Sequence, residues 1–317
     1  MNIVVIGTVY VDIKGFPEGG FIPTGRNVGR VEQVHGGVGR NIAEDVRNLG
    51  VAAQADIAVT FVSLVDRSAA GLDVLNHLRA NRIDTRYVLP TEDGMGTWLA
   101  VFDEKGDVCA SISKRPVLKP IYNVLNDYGD GIFNDADSIL LEVDVDEEIV
   151  AKTFEIAEKY GIDVYCVISN MTIAKERLEY VKRSKCFVCN RLEAGQLFDI
   201  DTSEFSIYRM QDFLKEHIAE VGVPSMIVTM DESGSVFATL DGGSGYVPAK
   251  KVEVLDTTGA GDSFFAGAAV GLTLGRSMKE ACELGTLVAA KVITSGNNVV
   301  PAESAVWYKE NGEILRL

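Results

Sequence analysis

The groups that could do chemistry are concentrated in the run Asp256-Thr257-Thr258-Gly259-Ala260-Gly261-Asp262-Ser263-Phe264-Phe265-Ala266-Gly267. Gly259 and Gly261 carry no side chain, so a ligand can come close to the backbone there. The strand-like Val252–Leu255 precedes the run, and the small and apolar residues that follow predict a helix to about Leu274. A helix start presents unpaired N–H groups and a positive dipole end. Together these predict an anion hole suited to the charge on a transferring phosphoryl group. Asp262 at its lip can accept the proton of an attacking hydroxyl, and an ordinary carboxyl pKa of about 3.9 would keep it ionised. Asp is also a common N-cap residue. The flanking glycines, the threonine pair and the second acid at Asp256 favour chemistry, with Asp256 orienting the loop or helping to hold a cation.

A second stretch, His35-Gly36-Gly37-Val38-Gly39-Arg40-Asn41-Ile42-Ala43, places a glycine pair before a helix and an amide one turn in. Such a turn can wrap a polyol with backbone and amide hydrogen bonds, although glycine before a helix is common in itself. Arg40 and Glu44 read as a surface pair. There is no GxxxxGK[ST], and the first strand leads into Gly7-Thr8-Val9-Tyr10-Val11-Asp12 rather than GxGxxG. A Walker-type loop and a dinucleotide site are therefore not expected.

Both stretches need a scaffold. Apolar runs at Ile3–Ile6, Ile57–Val65, Ser138–Val143, Asp163–Ser169, Cys186–Cys189 and Met226–Met230 alternate with helical patterns. Among those patterns, Gly37–Leu49 is stopped by Gly50 and Glu148–Tyr160 by Gly161. Apolar strands alternating with amphipathic helices predict an α/β fold, a doubly wound, mostly parallel sheet covered on both faces. Two segments break the rhythm, about 11–35 and 96–113. The second reads as a hairpin turning at Asp103-Glu104-Lys105-Gly106. They are expected to form one small antiparallel β lid over the carboxyl ends of the strands, or plain surface decoration.

The chain has 317 residues, 47% hydrophobic and 24% charged, which suits a globular protein with a large core. A net charge of −16 repels phosphate backbones and argues against nucleic acid as a partner. No run reaches the roughly 20 apolar residues of a membrane helix. The N-terminus reads as a strand rather than a signal peptide, so a soluble, cytoplasmic protein is expected. Cys109, Cys166, Cys186, Cys189 and Cys282 are scattered. Cys186 and Cys189 lie on a predicted strand, where residues three apart face opposite ways, so buried thiols are expected rather than a metal or disulfide site. His35, His77 and His217 are far apart in the sequence and complete no cluster.

The glycine-rich turn with Asn41, followed at the right distance by D-T-T-G-A-G-D-x-F, resembles the ribokinase (PfkB-type) carbohydrate kinase family across essentially the whole chain. The run Gly36–Glu44 is most similar to pseudouridine kinases within it. The resemblance implies one kinase domain over 1–317, with ATP, Mg²⁺ and K⁺ as cofactors. It implies a sugar or nucleoside substrate, pseudouridine first, and a homodimer through the β lid. Asp262 would be the catalytic base, with Gly259, Ala260 and Gly261 as the anion hole. Asp12, Gly36, Gly37 and Asn41 match sugar-binding positions, and Glu142 resembles a further substrate contact. Asn190-Arg191-Leu192-Glu193 matches the N-x-x-E element that organises Mg²⁺ and phosphates, and Asp256 matches the monovalent-cation loop. Thr229 and Gly234 match the ATP-side pattern T-x-G-x-x-G, but Asp231 replaces its first glycine. The adenine pocket, near Ser295–Val299, is not assigned by resemblance.

The leading expectation is ATP-dependent phosphoryl transfer to a primary hydroxyl. A kinase for a free sugar, fructose phosphate or 2-keto-3-deoxygluconate is the alternative. Trp98 on the lid could stack on a base or merely pack. A sugar-binding regulator without catalysis is disfavoured by Asp262 and the N-x-x-E element, and a nicotinamide oxidoreductase by its missing fingerprint.

Overall fold

The structure is a computed structural model that describes residues 1–104 and 108–302. The chain opens with β1 (Asn2–Ile6), the hairpin β2 (Tyr10–Pro17) and β3 (Gly29–Gly36), and helix α1 (Val38–Ala52). There follow β4 (Ala58–Asp66), α2 (Ala69–Ala80), β5 (Asp84–Thr91), the pair β6 (Gly96–Phe102) and β7 (Val108–Lys114), and α3 (Lys119–Phe133). The middle runs β8 (Ser138–Glu142), α4 (Glu147–Tyr160), β9 (Asp163–Val167), α5 (Met171–Glu176), α6 (Leu178–Val181), β10 (Cys186–Asn190) and α7 (Arg191–Phe198). The last part holds α8 (Ile207–Val221), β11 (Ser225–Thr229), β12 (Ser235–Thr239), β13 (Ser244–Val247), α9 (Ala260–Thr273) and α10 (Met278–Ser295).

Nine strands form the main sheet in the order β13-β12-β11-β10-β9-β8-β1-β4-β5. From β11 to β5 every pairing is parallel, and β12 and β13 add an antiparallel edge. Alternation within β1 shows why these strands read as apolar runs. Ile3 and Val5 enter one buried layer and Val4 and Ile6 the other, because helices cover both faces. β1 lies between β4 and β8, so the strand order reverses at its carboxyl end, the place where open α/β sheets form a ligand crevice.

The irregular segments form a second sheet in the order β3-β2-β6-β7. Each hairpin is antiparallel, and the two are joined by a parallel pairing of β2 with β6. The expected turn at Asp103-Glu104-Lys105-Gly106 lies partly outside the described residues.

Three local readings need correction. α1 does not stop at Gly50 but runs to Ala52. A side-chain carbon at Gly50 would sit 2.9 Å from Cβ of Ile57, so this glycine serves close packing rather than termination. Val252–Leu255 is not a strand: it has no ladder partner, Val254 and Leu255 are exposed, and the Leu255 N–H donates to the Ile293 carbonyl. Arg40 and Glu44 are not a surface pair, since both are buried and Arg40 Nη1 donates to Glu44 Oε2 at 2.8 Å.

Cys186 and Cys189 enter opposite core layers, and Cys166 and Cys282 are buried as expected, whereas Cys109 is exposed, which corrects the expectation of buried thiols at that position. Burial pushes the Cys186 thiol up to about 12. Among the described residues no helix is long and apolar enough to cross a membrane.

Candidate active site

The two glycine-rich stretches converge above the carboxyl end of β1. Gly259 caps α9 at φ 79°, a left-handed value, and an added side chain would run into the Asn298 carbonyl. Gly261 is exposed, and open space surrounds the position of its missing side chain. The first-turn N–H groups of α9 have no acceptor within the helix. Of the three amides expected in the anion hole, that of Ala260 already donates to the Thr257 carbonyl at 3.2 Å.

Asp262 is the third residue of α9, not its cap. Its Oδ2 accepts from Asn41 Nδ2 of α1 at 2.7 Å, so the two stretches meet side chain to side chain. The ordinary carboxyl pKa expected from sequence is corrected here. Close packing around Asp262 pushes it up to about 6, although the Asn41 hydrogen bond and the Arg40 charge pull it down. Asn41 Oδ1 is buried without a hydrogen-bond partner. A polar atom left so beside a carboxylate is a place where a hydroxyl donor is wanted.

The residues expected to bind the sugar gather near this pair. Asp12 on β2 faces Gly36, where a side-chain carbon would lie 2.6 Å from Asp12 Oδ2. Gly37, at φ 98°, packs against the Thr8 and Tyr10 backbone. Burial raises the Asp12 pKa, and Lys14 and Arg40 lower it. Trp98 pairs with Asp12 across β2 and β6, so both project from the same face of the small sheet.

Glu142, expected as a further substrate contact, lies where β8 ends, under the turn that follows β1. It is fully buried, and Oε2 accepts from the backbone N–H of Thr8 at 2.7 Å and of Gly39 at 3.1 Å. Thr8 Oγ1 donates to the same carboxyl group at 2.9 Å. Burial pushes its pKa up to about 8. Glu142 thus braces the β1 turn against the start of α1.

Asn190 and Glu193 form a capping box at α7: the Glu193 N–H donates to Asn190 Oδ1 at 2.9 Å, and the Asn190 N–H to Glu193 Oε2 at 2.7 Å. Burial raises the Glu193 pKa, as do the charges of Asp144 and Asp262. Asp144, just past β8, has a raised pKa and a buried Oδ1 without a partner. Mutually repelling carboxylates with an orphaned oxygen suit a cation. Among the described residues no three such side chains converge on one metal position.

Thr229 ends β11, and Gly234 follows a single 3₁₀ turn, Asp231–Ser233. Asp231 adopts the left-handed φ of 50° that a family glycine would take freely, and its Oδ2 lies 3.1 Å from Arg191 Nη2. The replacement keeps the turn and ties it to the N-x-x-E segment.

Asp256, expected at the monovalent-cation loop, lies just before α9. Oδ1 accepts from the Thr258 N–H at 2.9 Å and from Thr258 Oγ1 at 2.7 Å, while Oδ2 lies 3.7 Å from Lys14 Nζ. Oδ1 is thus held within the loop, and the side chain is 40% exposed.

Sequence reasoning missed Asp45, Lys14, Asp144 and Asn298. Asp45 Oδ2 accepts from Ser263 Oγ at 2.7 Å and Oδ1 from the Val300 N–H at 2.6 Å, and burial raises its pKa strongly. Asn298 Nδ2 donates to the His35 carbonyl at 2.6 Å. His35 and His77, distant in sequence, have ring centroids 5.2 Å apart. A polar residue on an amphipathic helix gives no sequence sign of such a partner.

Comparison with known proteins agrees with this geometry. The pfkB family carbohydrate kinase model matches residues 1–305. A guanosine-inosine kinase from Exiguobacterium acetylicum is 34% identical over 94% of this chain and 96% of its own. A pseudouridine kinase from Escherichia coli (strain K12) is 25% identical over 84% of this chain and 82% of its own. The structure of Arabidopsis thaliana ribokinase complexed with ribose and ATP superposes with a TM-score of 0.78 at 19% identity, over 99% of this chain and 98% of that one. With sequence and fold in accord along its length, the chain belongs to the pfkB family of carbohydrate kinases and is an ATP-dependent sugar or nucleoside kinase.

Proposed function

We propose that this kinase transfers the γ-phosphoryl of ATP to the primary 5′-hydroxyl of a nucleoside, with guanosine and inosine ahead of pseudouridine. The observation that carries the reading is the Asn41–Asp262 pair with its unpartnered amide oxygen. A substrate hydroxyl donates to Asn41 Oδ1 while the 5′-hydroxyl faces Asp262. Asp12 and Gly36 lie on the sugar side. Trp98, on the same face as Asp12, offers a surface to a base, which a free sugar would leave unused. The similarity to a guanosine-inosine kinase over nearly the whole chain favours the purine, and the run Gly36–Glu44 keeps pseudouridine as the second reading.

In the reaction the hydroxyl oxygen forms a bond to the γ-phosphorus as the bond to the β–γ bridging oxygen breaks. The hydroxyl proton passes to Asp262, and ADP leaves. A carboxylate pushed up to about 6 is a better base than an ordinary one but far weaker than an alkoxide, so the proton moves late. The first-turn amides of α9 receive the charge on the phosphoryl oxygens. Bound with ATP, Mg²⁺ would neutralise phosphate charge beside Glu193 and Asp144. Thr229 and Gly234 lie on the nucleotide side, and the small sheet closes over the sugar as a lid that excludes water. The opposite face of that sheet joins two copies of the chain: Ile13, Leu99 and Ile112 align across three strands there, and Leu99 and Ile112 are exposed.

The test is ADP release with Mg·ATP against inosine, guanosine, pseudouridine, adenosine, ribose and fructose 6-phosphate. Turnover with inosine and guanosine at low KM is expected. Preference for a free sugar would overturn the nucleoside reading, and turnover with pseudouridine alone would reverse the order of the two bases.

A further inference from the structure

Lys14 lies on β2 two residues from Asp12, is only 8% exposed, and extends its ammonium toward the loop before α9. A lysine is rarely buried without an anionic partner. Here Nζ is 3.7 Å from Asp256 Oδ2, within ion-pair range. The other oxygen of Asp256 is held by Thr258, which leaves Oδ2 to face the Lys14 ammonium.

From this we infer that the Lys14 ammonium is a built-in cation, which takes at Asp256 the place a free potassium ion would otherwise hold. An ammonium and a potassium ion carry the same charge on groups of similar size. The tethered one costs no binding from solution. It pins the Asp256–Gly261 loop that presents the α9 amides, and it does so from the strand that also carries Asp12. The amides and the sugar-side carboxylate are thereby set relative to each other by one side chain. Lys14 is a positioning residue, and its role rests on the kinase reading of the site.

The experiment compares the wild type with Lys14→Met in potassium chloride and in tetramethylammonium chloride at equal ionic strength, by melting temperature and by turnover. The wild type is expected to melt and turn over alike in both salts. Lys14→Met is expected to lose turnover on the order of tenfold without potassium, the scale of one lost contact to a charged group. It is expected to regain stability and turnover saturably as potassium is added. A saturable rise in the wild-type melting temperature with potassium would overturn the inference. So would a Lys14→Met that loses nothing, or one that loses turnover and does not answer potassium. If Lys14→Met fails to fold, Lys14→Arg keeps the charge and should remain indifferent to potassium, and a potassium requirement in that variant overturns the proposal. Melting needs no substrate, so a wild type silent toward every acceptor would count against the kinase reading while the salt comparison still judges Lys14.

Discussion

Asn41 and Asp262, 221 positions apart in the chain, are joined by a hydrogen bond of 2.7 Å between the α1 amide and the α9 carboxylate. The bond favours the ionised form of an acid that its packing would otherwise keep protonated. It also fixes which oxygen of Asp262 remains for the substrate.

The first prediction removes the base. Asp262→Asn keeps the shape and the contact with Asn41 but cannot accept a proton. Its kcat should fall by roughly 10²–10⁴-fold, while nucleoside binding measured by calorimetry stays near the wild-type value. Undiminished turnover in a variant that binds normally would remove Asp262 from the proton transfer.

A second follows from pH. Asp262 must be ionised to act, so kcat/KM should be flat above about pH 6 and fall tenfold per unit below it. Asn41→Ala removes a contact that lowers this pKa, and the acid limb should move to higher pH. An acid limb that stays put in Asn41→Ala would show that the titrating group is not Asp262.

Glu142 gives a stability prediction. Its pKa rises from the ordinary 4.5 to about 8 on folding, so the folded state holds the proton more tightly. The contribution is full below the unfolded value and is lost as pH rises through the folded one. Glu142→Gln can still accept from Thr8 and Gly39 and cannot ionise. Relative to it, the wild type should lose roughly 5 °C of melting temperature between about pH 5 and about pH 8. Parallel pH–Tm curves for the two proteins would mean the carboxyl group is already paired with a cation.

The exposed apolar face of the small sheet gives a fourth. Ile112, 70% exposed, sits beside Leu99 on the face away from Asp12. Sedimentation should show a dimer for the wild type and a monomer for Ile112→Glu with its melting temperature little changed. A wild type that sediments as a monomer at assay concentration counts against this interface.

The alternation of Ile3–Ile6, Ser138–Val143 and Cys186–Cys189 with helices was enough to read the parallel sheet, because strands buried on both faces leave uninterrupted apolar runs. The same rule misled at Val252–Leu255, where apolar residues lie exposed along the surface with no neighbouring strand. Gly259, Gly261 and Asp262 were legible since backbone approach to an anion needs those residue types locally. Lys14, Asp45 and Asp144 were not. Each acts through a partner supplied by a distant element, and an isolated charge in a strand or helix looks the same whether it meets water or a buried carboxylate. Arg40 and Glu44 show the converse, a four-residue spacing typical of exposed helix pairs in a buried position, where Arg40 reaches the His35 carbonyl and His77 meets Glu44.

The parallel pairing of β2 with β6 has a kinetic meaning. Each hairpin of the small sheet can form from neighbouring residues, but the seam between them joins positions about 85 residues apart along the chain (Tyr10 with Gly96). Between them lie β3, α1, β4, α2 and β5, all of which the pairing closes into one long loop of chain. Trp98 is therefore set beside Asp12 by a contact of long sequence separation, the kind that slows folding.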